Sequence, residues 1–202
     1  MDKNDSKDDI TAVILAGGRG SRMGGTDKGL QNFKGTPMAL HALMRVGSQV
    51  GYFMVNANRN LSAYESLGAD VWPDGNDEFA GPLSGFVVGL EHCETPYLLT
   101  VPCDTPYFPQ DLARRMVEGL EAADADIAMA AQEGHTQPTF CLIKHCMLES
   151  LLAFMKSGGR KIDTWTGAQN TVLVHFDEVN DDPRAFANAN TLGELALLEK
   201  ED

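Results

Sequence analysis

The chain has 202 residues, 43% of them hydrophobic and 22% charged, with a formal net charge of −13. That length and apolar content suit one domain with a real core, and the acidic balance argues against a non-specific nucleic-acid binder, which would present a basic face. No apolar run reaches membrane-spanning length and no signal-peptide pattern opens the chain, so a cytoplasmic protein without membrane or nucleic-acid contacts is expected.

Residues 1–9 are almost all polar or charged and read as a disordered tail, leaving 10–202 as a single domain. An apolar run over 12–16 reads as a buried strand, the first of the chain, set at 11–16. It leads into Gly17-Gly18-Arg19-Gly20-Ser21-Arg22-Met23-Gly24-Gly25-Thr26-Asp27-Lys28. Glycines at a strand exit let backbone N–H groups approach a ligand, and cations on the same loop suit phosphates. Two better-known glycine motifs fail. The dinucleotide fingerprint started at Gly18 and Gly20 meets Met23 where a small residue is needed, and the Walker spacing from Gly20 to Gly25 is followed by Thr26-Asp27 instead of Lys-Ser/Thr.

Beyond this loop, Lys34-Gly35 marks a turn between short extended pieces, and Thr36 reads as the N-cap of a helix opened by Pro37 and running to about 48. A strand over 52–56 ends in Asn56-Ala57-Asn58-Arg59. A weak helix over 61–67 and a strand over 69–72 follow, broken by Pro73-Asp74-Gly75. Gly81-Pro82-Leu83-Ser84-Gly85 opens a helix over 83–93, and a strongly apolar strand over 97–101 stops at Pro102-Cys103-Asp104-Thr105-Pro106. A helix over 109–123 carries Leu112, Met116 and Leu120 on one face. Strands over 126–131 and 139–143, a helix over 147–156 ending near Gly158-Gly159-Arg160-Lys161, a strand over 171–176 and a last helix from Thr191 to about 198 complete the chain.

Strands alternating with helices imply an α/β fold with a mainly parallel central sheet covered on both faces. Ligands bind such sheets beyond the carboxyl ends of the strands. That rule gathers the loop after Ala16, Asn56, Asp74 and Asp104 on one edge. Asp104, held between two prolines, suits Mg²⁺, which takes one or two carboxylates together with phosphate oxygens; an Asp capping the next turn is the plainer alternative. Lys28 is the expected phosphate contact, a mobile charge able to follow a leaving pyrophosphate, and Arg22 can clamp phosphate oxygens with its planar fork. Asp74 reads as a base reader, able to accept from the N1–H and N2 amino group of guanine, as a second metal ligand, or as a turn-forming Asp before Gly75; Asn56 contacts base or ribose, or simply ends its strand. No Ser-His-Asp set or Cys-His pair supplies a nucleophile. A phosphate on a second substrate needs none, being ionised at neutral pH. Cys93, Cys103, Cys141 and Cys146 form no Cys-x-x-Cys pair and no zinc spacing with histidine, and are expected to be reduced, buried, small residues.

The order Leu15-Ala16-Gly17-Gly18, Arg22-Met23-Gly24-Gly25, Asp27-Lys28-Gly29, Val55-Asn56-Ala57-Asn58-Arg59, Gly81-Pro82-Leu83, Pro102-Cys103-Asp104-Thr105-Pro106 and Asn188-Ala189-Asn190-Thr191 resembles the molybdenum cofactor guanylyltransferases over nearly the whole chain. The resemblance implies a three-layer Rossmann-like nucleotidyltransferase fold. It implies transfer of GMP from GTP to the phosphate of molybdenum-molybdopterin, with Mg²⁺ as cofactor and pyrophosphate released. It assigns Leu15, Ala16, Gly17, Gly18, Lys28, Asn56, Asp74 and Asp104 to GTP in the N-terminal half, Asp104 also to the metal, and Lys28, Asp104 and Arg22 to catalysis. Gly81, Pro82, Arg160, Lys161, Asn188 and Asn190 fall on the molybdopterin side. It further implies a monomer with a molybdenum-insertion protein, apo-molybdoenzymes or their chaperones as partners. Three alternatives stay open: a molybdopterin cytidylyltransferase, a sugar-phosphate guanylyltransferase, and a non-catalytic carrier of the cofactor.

Overall fold

The structure, a computed structural model, describes residues 7–17, 27–75, 81–189 and 193–195. Its centre is a seven-stranded sheet in the order β5-β4-β1-β6-β8-β7-β9. The first strand, β1 (Ile10–Leu15), pairs in parallel with β4 (Tyr52–Asn56) on one side and β6 (Tyr97–Pro102) on the other. Buried between two parallel neighbours and under helices on both faces, β1 needs no alternation of polar residues, and its sequence has almost none. The strand β5 (Asp70–Trp72) extends the parallel set beyond β4. On the far side β8 (His135–Lys144) runs antiparallel to both β6 and β7 (Ile127–Gln132), and β9 (Thr171–His175) returns parallel to β7.

Two cores flank the sheet. One packs α1 (Met38–Gly47), α2 (Leu61–Glu65) and α4 (Leu112–Ala122) through Leu43, Val46, Tyr64, Leu112, Met116 and Leu120. The other packs α3 (Pro82–Glu91), α5 (Leu148–Lys156) and α6 (Ile162–Thr166) through Leu83, Phe86, Leu90, Leu151, Met155 and the fully buried Trp165. The result is the expected three-layer α/β sandwich. Leu112, Met116 and Leu120 all face the core, as their spacing required.

Several boundaries differ from the sequence reading, each for a physical reason. Thr36 and Pro37 form not a helix start but β3, paired antiparallel with β2 (Asn32–Phe33), and Pro37 is extended at φ −57°, ψ 140°. Lys34 and Gly35, at φ 49° and 85°, make the two-residue turn between them, both positive as a tight hairpin requires. The helix therefore starts at Met38. Pro109 opens only a turn, and α4 begins at Leu112. The strand read at 139–143 starts at His135, because Glu133 and Gly134 (φ 51° and 76°) turn β7 tightly into β8. Pro138, which has no N–H to give a ladder, sits where the register slips between Met129 and Ala130. The short helix α6 had no separate signal. The last three residues of the polar stretch 1–9 are not a free tail. They form a turn in which Lys7 accepts from the N–H of Gly51 (2.6 Å) and Asp9 from that of Tyr97 (3.1 Å). The predicted helix from Thr191 lies largely outside the described residues.

Thr100 continues the β6–β8 ladder where its backbone pairs stop at Leu99 and Leu142. Its buried hydroxyl donates to the Thr139 carbonyl (2.9 Å) and accepts from the Cys141 N–H (3.1 Å). Thr100→Val keeps the shape and orphans both groups, so it should destabilise the fold by about 1–3 kcal/mol, read as a lower urea midpoint at unchanged m-value.

Candidate active site

The parallel register lines up the strand ends. Trp72, Asn56, Leu15 and Pro102 stand opposite one another across β5, β4, β1 and β6. Two residues further along each chain stand Asp74, Asn58, Gly17 and Asp104, the first three joined by hydrogen bonds. The backbone ladder reaches past the strand ends, with Ala16 N–H donating to Asn56 (2.9 Å) and Cys103 N–H to Leu15 (3.2 Å).

At one end of this row lies Asp74. Asn56 Nδ2 donates to its Oδ1 (2.9 Å), Asn58 Nδ2 donates to its Oδ2 (2.8 Å), and Asp74 N–H returns a bond to Asn58 Oδ1 (2.8 Å). Asn56 Nδ2 also reaches the Trp72 carbonyl at 3.1 Å. Asn58 completes the bridge by donating to the Gly17 carbonyl (3.4 Å). Gly17 makes room for both amides: a Cβ would stand 3.0 Å from both Asn56 Oδ1 and Asn58 Nδ2 and press on each. Gly85 in the first turns of α3 serves the same end, since a Cβ there would meet Leu15 Cδ2 at 2.5 Å and Asn56 Oδ1 at 2.7 Å. The start of α3, with Gly81 and Pro82 exposed ahead of it, is thereby held beside the strand ends.

At the other end Lys28 Nζ pairs with Asp104 Oδ2 at 3.2 Å, across 76 residues of sequence, with side chains 22% and 16% exposed. Lys28 opens a one-turn 3₁₀ segment, Lys28–Leu30, at the exit of the glycine-rich loop. Asp104 follows the end of β6, and its loop is clasped from the far end of the chain. Thr105 Oγ1 donates to Asn188 Oδ1 (2.5 Å), and the Ala189 N–H donates to the Asp104 carbonyl (3.0 Å).

The structure thus brings Leu15, Ala16, Gly17, Asn56, Asp74, Lys28 and Asp104 to one edge, as the strand-end rule required. Asn188 joins them through Thr105. Arg160 and Lys161 lie exposed after α5, where Arg160 Nη1 donates to the carbonyls of Met155 (2.9 Å) and Gly159 (2.7 Å) at its own helix end. Gly18, Arg19, Arg22 and Asn190 lie outside the described residues. Sequence reasoning missed the bridging role of Asn58, which alternation from Asn56 would have given, and the Thr105–Asn188 clasp, for which no local signal exists. Among the described residues no three His, Cys, Asp or Glu side chains form a ready metal cage. A groove of 720 Å³ along edge strand β5, beside Tyr52, Phe53 and Asp70, contains neither Asp74 nor Asp104, so the chemistry and not the concavity locates the site.

A lysine paired with a strand-end aspartate on a mainly parallel sheet suits a nucleotidyltransferase, the class to which comparison with known proteins assigns the chain. The model of the MobA-like NTP transferase domain matches residues 12–172. The molybdenum cofactor guanylyltransferase of Acidovorax ebreus is 61% identical over 201 residues, covering 95% of each chain. That of Bordetella petrii is 63% identical over 196 residues, covering 95% of this chain and 98% of the relative. The solved structure of molybdopterin-guanine dinucleotide biosynthesis protein A from Archaeoglobus fulgidus superposes with a TM-score of 0.75 at 20% identity, covering 95% of this chain and 97% of that one. The chain belongs to the molybdenum cofactor guanylyltransferase family.

The cysteines correct one expectation. Cys93, Cys103 and Cys141 are buried, but Cys146 is exposed. Burial pushes the Cys103 thiol well above its usual range, with the carboxylates of Asp104 and Asp27 adding to it; burial also raises Cys141. Of the four cysteines, one should therefore react rapidly with an aromatic disulfide reagent in the native protein at mildly alkaline pH, and the others only on unfolding. Loss of that fast phase in Cys146→Ser checks the assignment.

Proposed function

We propose that this chain transfers GMP from GTP to the phosphate of molybdenum-bound molybdopterin, releasing pyrophosphate and forming the guanine dinucleotide cofactor. The observation that carries the reading is the Lys28–Asp104 pair at the end of a sheet whose other strand end presents Asp74. Family membership narrows the substrates.

In this reading a phosphate oxygen of molybdopterin attacks the α-phosphorus of GTP. The new P–O bond forms as the bond to the β-phosphate's bridging oxygen breaks, and pyrophosphate departs with the electron pair. The nucleophile arrives ionised, so no general base is required. Lys28 holds the triphosphate and meets the charge that develops on the leaving group. Arg22 shares that load. Leu15, Ala16, Gly17 and Gly18 line the nucleotide site at the end of β1.

Asp74 accepts from N1–H and the N2 amino group of guanine. Asn56 and Asn58 each occupy one of its oxygens with a single donor, and a carboxylate oxygen has room for another. Asn56, buried with its amide given to Trp72 and Asp74, serves the nucleotide by holding Asp74 for that role. Mg²⁺ fits the donor set: one half-buried carboxylate, Asp104, beside Lys28 and outside any cage of His, Cys, Asp or Glu among the described residues, is how this ion is held when phosphates supply the remaining oxygens. Bound there, it would neutralise charge on the phosphates. Gly81, Pro82, Arg160, Lys161, Asn188 and Asn190 serve the molybdopterin. Residues 10–202 act as one domain and one monomer in the cytoplasm, exchanging cofactor with a molybdenum-insertion protein, apo-molybdoenzymes or their chaperones. Among the described residues no helix is long and apolar enough to cross a membrane.

Pyrophosphate release with molybdenum-loaded molybdopterin and Mg²⁺ tests the reading. GTP should be used in strong preference to CTP; preference for CTP keeps the chemistry and overturns the role of Asp74. Asp104→Asn and Lys28→Ala should each lower kcat/KM by roughly 10²-fold or more while circular dichroism stays native. Wild-type rates in both would leave nucleotide transfer without its machinery.

A further inference from the structure

Among the described buried polar groups that the mechanism leaves unused, Tyr64 is the one that meets the segment carrying Lys28. Tyr64 on α2 is fully buried, yet its hydroxyl points out of the core at the loop that carries Lys28. Tyr64 Oη donates to Asp27 Oδ1 at 2.5 Å, and Asn60 Nδ2 donates to Asp27 Oδ2 at 3.0 Å. Each oxygen of the carboxylate preceding Lys28 therefore has a neutral donor from the α2 segment. The residue following Lys28 is seated on the same ring: a Cβ on buried Gly29 would stand 2.5 Å from Tyr64 Oη. The Asp27 carbonyl closes the turn, accepting from the Leu30 N–H (3.3 Å) and Gln31 Nε2 (3.3 Å). Asn60 takes the left-handed backbone (φ 52°, ψ 36°) that places its amide here, a conformation Asn tolerates better than most residues.

From this geometry we infer that Asp27, anchored by Tyr64 and Asn60, is the positioning residue for Lys28: it fixes the chain on both sides of that lysine so that the ammonium is delivered to the phosphates. The inference rests on the proposed transfer reaction. A lysine is a flexible point charge, and its contribution to a transition state depends on where its backbone is held. The anchor comes from the α2 segment, through a phenol that stays protonated. Burial, with Cys103 and Asp27 adding to it, holds Tyr64 far above its ordinary range, so it remains a donor at any working pH.

A double-mutant cycle tests this, run with whichever of GTP and CTP the wild type prefers so that a wrong base assignment leaves it readable. Tyr64→Phe keeps the ring and removes the donor. It should lower kcat roughly 10-fold with KM for the nucleotide changed less than about threefold, and Asp27→Asn should do the same. In the Lys28→Ala background Tyr64→Phe should have no further effect, because there is no ammonium left to place. If Tyr64→Phe fails to fold, Asn60→Gly, which suits the left-handed backbone, carries the same cycle from the exposed side. Multiplicative losses in the cycle, or wild-type kcat in Tyr64→Phe, overturn the inference while leaving the transfer reaction standing. Activity of Asp27→Asn restored by raising Mg²⁺ roughly 10-fold would make Asp27 a metal ligand and also overturn it. Absence of transfer by the wild type with either nucleotide removes the functional reading and this inference with it.

Discussion

Parallel register is the constraint on which the rest of this structure depends. Four strands, β5, β4, β1 and β6, end in one row, and the next side chains along each chain belong to residues far apart in sequence: Asp74, Asn58, Gly17 and Asp104. A slip of one residue in any pair would turn the side chains of that strand to the opposite face. The buried apolar runs of β1 and β6 forbid such a slip. Packing energy in the sheet thus sets the geometry of polar groups that contribute little to packing themselves.

That row is electrostatically divided. One end is a carboxylate braced by two neutral amides, Asn56 and Asn58, suited to a partner that brings donors. The other is an ion pair, Lys28 with Asp104, in a half-buried setting where charges are costly to leave alone. Within a chain of net charge −13, a compact cationic element beside one carboxylate favours a polyanion that arrives with its own divalent counter-ion. On the proposed reading each member of the pair exchanges its partner for a better one: Lys28 for phosphate oxygens, Asp104 for the metal. The free-state pair keeps both groups satisfied and aimed at the same point until then.

Much of this was legible in the sequence because it is locally encoded. Apolar runs gave most strands, prolines and glycines gave their ends, and the strand-end rule gathered Asn56, Asp74, Lys28 and Asp104 from spacing alone. What escaped is of three kinds. Short elements with one turn of their own, such as α6, carry too little periodicity to register. Pro138 made β8 look shorter than it is, because a bulge hides the proline from the ladder. And tertiary partners leave no local trace: nothing around Thr105 announces Asn188, and nothing around Asp27 announces Tyr64.

Those distant partners share a pattern. Lys28 and Asp104 sit on segments that follow β1 and β6, and each is held by a segment that is not its sequence neighbour. The Asp27 side is tied to α2, next after β4 in the chain. The Asp104 side is tied to Asn188 and Ala189, after the last strand of the sheet. A strand end fixes a Cα but not the direction of the loop beyond it, and a charge-transfer site tolerates little error in direction. The second tie makes the Asp104 loop depend on a segment that folds on after the last strand. On the proposed reading the pterin half therefore supports the aspartate that would hold the metal, and the two proposed halves do not correspond to units that could work apart.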